Sequence, residues 1–274
     1  MKRVIWQYWE TRGKKPAFVD GLHRLAQRNS GCEVVQVTPQ TLAQYLPDMP
    51  HDIEKIGEMA HKADMLRAML VARYGGMWLD SDAIVLQDLN WMFDLLEHHE
   101  FVGFNDAAQL SAAKPWMRIN CFLSRPGGVI ATEWVRQQHA KFPRTQYEWE
   151  EIGTELLHPI CLTHSGLVHV LPFETICPIP WNRVEEFERP AQDAAAVVQG
   201  CSMVMLSNAS LKQRAPQLRR QTCHDIAAGD ALVSGIMRLA LRGTPVDGPA
   251  PPESGWSRVR DRISELAGRL RRRR

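Results

Sequence analysis

Residues 60–82, AHKADMLRAMLVARYGGMWLDSD, decide how this chain is read. Ile56, Met59, Ala63, Leu66, Leu70 and Tyr74 recur at steps of three and four. That spacing predicts one long amphipathic helix over residues 53–74. Gly75 and Gly76 then end it. Residues 77–79, Met-Trp-Leu, form a short apolar strand, and Asp80 stands where the strand finishes. A helix that feeds a strand ending in an acid suits an open α/β sheet, whose ligands gather outside the carboxyl ends of the strands.

The flanking sequence agrees. Residues 2–9 are β-branched and aromatic and read as a strand, with turn-like residues at 11–16. Residues 18–30 have helical spacing and stop at Gly31, and residues 33–37 read as a second strand. This βαβ opening predicts a mostly parallel central sheet with flanking helices. Further strands are expected at 83–86, 101–104, 120–123 and 167–171, and a helix at 129–142. No internal repeat is present. The Pro/Gly-rich stretch 242–255 reads as a linker, which divides the chain into a body (1–241), the linker and a tail (256–274).

The composition narrows the classes. The 274 residues are 45% hydrophobic and 23% charged, enough for a sizeable core and against wholesale disorder. The net charge of +2 conceals an asymmetry: eight arginines against Asp261 and Glu265 give the tail +6, leaving −4 on residues 1–255. An acidic body argues against nucleic acid as a partner. The six cysteines form no C-x-x-C pair, so reduced, mostly buried thiols are expected rather than a zinc site. Neither a signal-length apolar run nor a stretch of membrane-spanning length appears, so the expected location is the cytoplasm.

The chemistry centres on Asp80 and Asp82. Residues two apart in an extended backbone point to the same side, so both carboxylates can face one ion. Mg2+ or Mn2+ takes one or two carboxylates and completes its shell with water and phosphate oxygens. Such an ion neutralises the charge that grows on a departing diphosphate. A D-x-D pair in isolation also fits a solvated turn, but an acid after an apolar strand is costly unless paired or metal-bound. On the preceding helix Asp64 and Arg67 lie 60° apart. That spacing fits an i,i+3 salt bridge, and it fits a clamp for sugar hydroxyls and phosphate oxygens.

Together these residues are recognisable. The A-D-x-L-R, Y-G-G and D-x-D pieces of residues 60–82 resemble the signature of the D-x-D sugar transferases, glycosyltransferase family 32. The opening VIWQYWETRGKKP resembles the capsular polysaccharide synthesis branch of that group. The resemblance spans about residues 1–125 and thins to about 215. It implies a GT-A (Rossmann-like) fold, a nucleotide-sugar donor with a UDP-sugar expected, Mn2+ or Mg2+, and transfer with retention of configuration. A front-face route, in which the departing phosphate accepts the acceptor's proton, is the version favoured. Asp80 matches the acid that contacts donor sugar and metal-bound phosphate, and Asp82 matches the metal-chelating acid. Asp64 and Arg67 match the pair that holds the donor sugar, and Trp78 the aromatic beside diphosphate and ribose. Trp9 matches the tryptophan that stacks on the base, with Trp6 its rival. Their opposite strand parity puts one in the core and the other out of it, while placement of both in the core stays open. Asn120, in a stretch resembling I-N-x-x-I-x-S, is a donor or acceptor contact or a strand-end turn residue.

The chain departs from the pattern in two places. Residues 153–163 match the family's G-P-x-x-x-T segment poorly. Residues 204–210 lack the His and Trp of its late H-L-W-N-S, where Asn208 could still offer an oxygen to the metal. In the tail, Trp256, Val259, Ile263, Leu266 and Leu270 form an apolar ridge flanked by arginines. That suits an anionic membrane surface, which would bring a lipid-linked or saccharide acceptor within reach. Packing on the body or on a partner protein fits the same ridge. Two other functions compete: a D-x-D phosphatase-like hydrolase, and a non-catalytic nucleotide-sugar-binding module.

Overall fold

The structure, a computed structural model, describes residues 1–10, 15–105, 117–190 and 193–242. The first half runs β1 (Val4–Tyr8), α1 (Val19–Asn29), β2 (Glu33–Val37), α2 (Leu42–Tyr45), α3 (Met59–Tyr74), β3 (Gly76–Leu79), β4 (Ala83–Val85), α4 (Asn90–Asp94) and β5 (Phe101–Asn105). The second runs β6 (Met117–Ser124), α5 (Val129–His139), α6 (Thr154–Thr163), β7 (Val168–Pro172), α7 (Ala194–Val197), β8 (Met203–Met205), α8 (Asn208–Arg214), α9 (Cys223–Ala228) and α10 (Leu232–Arg242).

Six strands form the central sheet in the order β2-β1-β3-β6-β5-β7. Within it β6 alone runs against the others, so the sheet is mostly parallel, and helices flank it. The predicted α/β class is the observed one. Every residue of β1 and β3 is buried, as the central strands of a two-faced sheet require. β4 and β8 pair antiparallel as a separate ribbon.

Alternation along the strands divides the core. Trp6, Trp78, Phe101 and Phe122 face α3 and α5, where they meet Met65, Leu66, Leu70 and Trp134. Ile5, Met77, Leu79, Cys121 and Leu123 face the opposite way, toward Ala26, Phe93 and Leu96. A third cluster joins α1 and the β4–β8 ribbon to α8, α9 and α10.

The link from α3 to β3 is tight. Gly75 and Gly76 have φ of 67° and 100°, and a Cβ on Gly76 would stand 2.5 Å from the carbonyl oxygen of Val4. Only glycine fits there. This turn delivers β3 beside β1, in the register Ile5↔Met77 and Trp6↔Trp78, and so fixes where Asp80 emerges.

Several expectations need correction. The long helix starts at Met59 rather than at residue 53. A 3-10 turn occupies His51–Lys55, and Ile56 and Glu58 are extended on either side of Gly57. Ile56 is fully buried from an extended segment, so its apolar character mimicked helical spacing. Arg242, assigned to the linker, ends α10, while residues 243–255 and the tail lie outside the described residues. No helix among the described residues is long and apolar enough to cross a membrane. All six cysteines are free; five are buried and Cys32 is partly so.

Candidate active site

The site forms where β3 ends against β6. The backbone N–H of Asp80 donates to the carbonyl of Asn120 at 2.9 Å, which anchors the first acid to the antiparallel strand. The side chain of Asp80 is 30% exposed, the most open carboxylate of the group. Its Oδ1 accepts from Trp78 Nε1 at 2.7 Å.

Arg67 organises the acids. Its Nη2 lies 3.4 Å from an oxygen of Asp64 and 3.4 Å from an oxygen of Asp80. Its Nη1 donates to the carbonyl of Ile119 at 2.7 Å, and its guanidinium carbon sits 5.2 Å from the centre of the Trp78 ring. A planar fork fixed by a carbonyl, an aromatic face and two carboxylates has little freedom left.

Asp82 is held from a distance along the chain. Its Oδ2 accepts from the backbone N–H of Asn208 at 2.6 Å, and its carbonyl accepts from the N–H of Leu206 at 3.0 Å. Ser207, between them, takes a left-handed conformation at φ 55°. The side-chain Oδ1 of Asn208 accepts from Arg219 Nε at 2.8 Å. Asn208, expected to offer the metal an oxygen, shares that oxygen with Arg219 and meets Asp82 through its main chain.

Burial raises all three carboxyls, and repulsion between acids adds to it at Asp64 and Asp82. Burial pushes Asp64 up to about 7; Arg67 opposes the shift, while Asp80 and Glu150 add to it. Asp82 rises to about 6, chiefly from burial and then from the charge of Asp80, against the Asn208 N–H. Asp80 also rises through burial, resisted by Arg67 and the Trp78 hydrogen bond. Acids that repel one another in a shared pocket gain from a cation between them. Asp80 and Asp82 thus fit a divalent ion that takes two carboxylates and completes its shell with water or phosphate. Among the described residues no set of three or more His, Cys, Asp or Glu side chains is placed to hold a metal.

The tryptophans separate as their parity requires. Trp6 is buried between α3 and the sheet, its Nε1 bonded to the carbonyl of Gly75 at 2.9 Å, which places it in the core rather than against a base. Trp9 lies past β1, half-buried, with Lys15 Nζ 6.0 Å from its ring centre. Trp78 is 1% exposed, so its place beside a diphosphate and ribose is corrected: it orients Asp80 and Arg67 from beneath. Asn120 is half-buried, its Oδ1 enclosed and without a hydrogen-bond partner among the described residues.

Sequence reading missed two supports. Tyr8 and Lys62 both donate to Glu10 Oε2 at 3.1 Å, a buried ion pair that ties the end of β1 to α3. Lys62 inside the apolar stretch of α3 was the available signal. Gly153 leaves room for Asp64: a Cβ there would sit 3.1 Å from Asp64 Oδ2. The poor match of residues 153–163 to the family pattern hid this contact.

The profile of the capsular polysaccharide synthesis proteins matches residues 1–147, more than half of the chain. The chain belongs to that family. The matched part of the chain contains α3, the Gly75-Gly76 turn, β3 and both acids of the D-x-D pair. No curated protein sequence matches it. Among solved structures, a glycosyltransferase involved in glycosylating the major capsid of the virus PBCV-1 is similar at 12% identity and a TM-score of 0.48. The likeness covers 79% of this chain and 98% of that one. The PaToxG glycosyltransferase is similar at 11% identity and 0.45, covering 60% and 69%. Mouse xyloside xylosyltransferase 1 follows at 11% and 0.42, covering 65% and 87%. The family assignment rests on the profile match.

Proposed function

We propose that this chain is a metal-dependent retaining glycosyltransferase of surface-polysaccharide synthesis, related to the D-x-D transferases of glycosyltransferase family 32. It takes a nucleotide-sugar donor, a UDP-sugar first, and a saccharide or lipid-linked acceptor. One observation carries the reading: Asp80 and Asp82 emerge together at the carboxyl end of β3, beside an Arg67 that already serves Asp64 and Asp80.

The residues divide the work. Mn2+ or Mg2+ on Asp80 and Asp82 would neutralise the charge of the departing diphosphate. Asp64 accepts hydroxyl hydrogens of the donor sugar, and its neighbour Arg67 favours the charged form of Asp80 and offers N–H groups to phosphate or sugar oxygens. Trp9 stands past β1, where a base can stack on its exposed face. Asn120 offers its unsatisfied Oδ1 to a donor or acceptor hydroxyl. The route is front-face transfer, in which the leaving phosphate takes the acceptor's proton. The basic tail would bring the body to an anionic cytoplasmic membrane surface where lipid-linked acceptors reside.

The test is a screen of nucleotide sugars for hydrolysis in the presence of Mn2+ and of a chelator. At least one donor should be hydrolysed only with the metal. Turnover that ignores the chelator, or phosphatase activity without any nucleotide-sugar turnover, would defeat the proposal.

A further inference from the structure

His61, Asp64 and Arg67 follow one another at steps of three along α3. Their side chains climb one face of the helix, each step rising roughly 4.5 Å. At the upper end Arg67 reaches Asp80. At the lower end His61 meets the segment that follows α5.

His61 is unusual. It is 5% exposed, and neither ring nitrogen has a hydrogen-bond partner among the described residues. A buried imidazole left without partners is costly, and either tautomer offers one donor and one acceptor to an incoming hydroxyl. Two aromatic rings close on it. Tyr147 stands edge-on, 5.9 Å between ring centres, and Trp149 lies tilted at 6.4 Å. Trp149 is 69% exposed, more than any other large apolar side chain among the described residues. The next residue, Glu150, is held at φ 67°, a conformation that a non-glycine residue adopts only under constraint. Gly153 then packs on Asp64. One short stretch therefore runs from a bare indole face, past an unsatisfied imidazole, to the carboxylate beside Arg67.

We propose that Trp149, Tyr147 and His61 form the subsite for a saccharide acceptor, with a sugar ring stacked on the Trp149 face and a hydroxyl bonded to the His61 ring. Sugar rings show apolar C–H faces and polar edges, and this pairing of an aromatic plane with a recessed polar group suits both. The Asp64–Arg67 pair lies one and two helical steps further on, so an acceptor held here is aimed at the donor end of the site. The proposal rests on the transferase reading above for the direction of the sugar, but saccharide binding itself does not require turnover.

The test uses the full chain and methyl α- and β-glycosides of glucose, galactose, mannose and N-acetylglucosamine. Saturation-transfer NMR should show contact with the ring protons of at least one glycoside. Trp149→Ala should cut that signal at least fivefold, and His61→Gln should reduce it as well. Trp149 is exposed, so its replacement leaves the core intact, and a thermal melt verifies this. With the donor found in the screen, Trp149→Ala should lower the ratio of transfer to hydrolysis at least tenfold. Absence of saturation transfer from every glycoside, or an unaltered signal in Trp149→Ala, would overturn the subsite. Saccharide contact without hydrolysis of any nucleotide sugar would leave the subsite standing and remove the transferase reading instead.

Discussion

Arg67 and Asp80 meet at 3.4 Å across the boundary between a helix and the end of a strand, and the same guanidinium nitrogen is 3.4 Å from Asp64. One cation serves a buried acid and a partly exposed one. Arg67→Ala leaves both uncompensated, which costs more than the lost contact. The expected result is a fall of about a hundredfold in metal-dependent donor hydrolysis, the scale of losing one preorganised charged donor. Arg67→Lys should also fail, by about tenfold or more, because a point charge cannot face both carboxylates and the Ile119 carbonyl at once. Wild-type hydrolysis rates in the lysine variant would show that the fork geometry is irrelevant.

Asp82 carries the metal prediction. Asp82→Ala removes one of two carboxylates and should lower Mn2+-dependent hydrolysis by about a hundredfold or more. The wild type should also gain melting temperature with Mn2+, and the variant should not. The fold should survive, since a buried acid with a raised pKa is no net source of stability at neutral pH. Differential scanning fluorimetry with and without Mn2+ reads both effects, and a variant that still gains stability from Mn2+ would relocate the ion.

The pH dependence has a definite sign. Asp64 at about 7 and Asp82 at about 6 both lie above the ordinary value of 3.8. Between about pH 4 and 7 the folded protein therefore holds protons that the unfolded chain has released. These two groups contribute stability that is complete below about pH 4 and is lost as pH climbs through 6 and 7. Metal-free protein should lose melting temperature over that interval from this source. A divalent ion needs the deprotonated acids, so the Mn2+-induced increment should be larger at pH 8 than at pH 5.5. Melts at both pH values, with Mn2+ and with chelator, measure it; an increment that is larger at pH 5.5 would reverse the assignment.

Trp78→Phe isolates one hydrogen bond. The phenyl ring keeps most of the packing, while the Nε1–H that holds Asp80 at 2.7 Å is gone. Asp80 then loses a contact that favours its charged form, so the acid limb of the pH–rate profile should move to higher pH. Hydrolysis at neutral pH should drop by about tenfold, in line with one charge-assisted hydrogen bond. An unmoved pH profile would mean that Trp78 acts through packing alone.

Much of this was readable from the chain itself. The strands at β1, β2 and β3 follow from β-branched and aromatic runs, and the α3–β3 turn from paired glycines. Side-chain direction was harder. Trp78 and Trp6 both looked available to a ligand, yet strand alternation turns both toward α3, where a helix covers them. Arg219, which bonds the side-chain oxygen of Asn208, is a partner that only tertiary structure supplies. The reversed direction of β6 depends on how the chain returns to the sheet, which local spacing does not encode. In contrast, α10 was missed although Leu232, Val233, Ile236, Met237 and Ala240 bury one face at helical spacing. The T-x-x-D capping box of Thr222 and Asp225 likewise announces α9.

The clasp on Asp82 has an evolutionary corollary. Its two tethers, from Leu206 and Asn208, come from beyond the 1–147 region that defines kinship. Both tethers are main-chain amides, so any residue but proline can supply them, and proline at position 206 or 208 would free one side of Asp82.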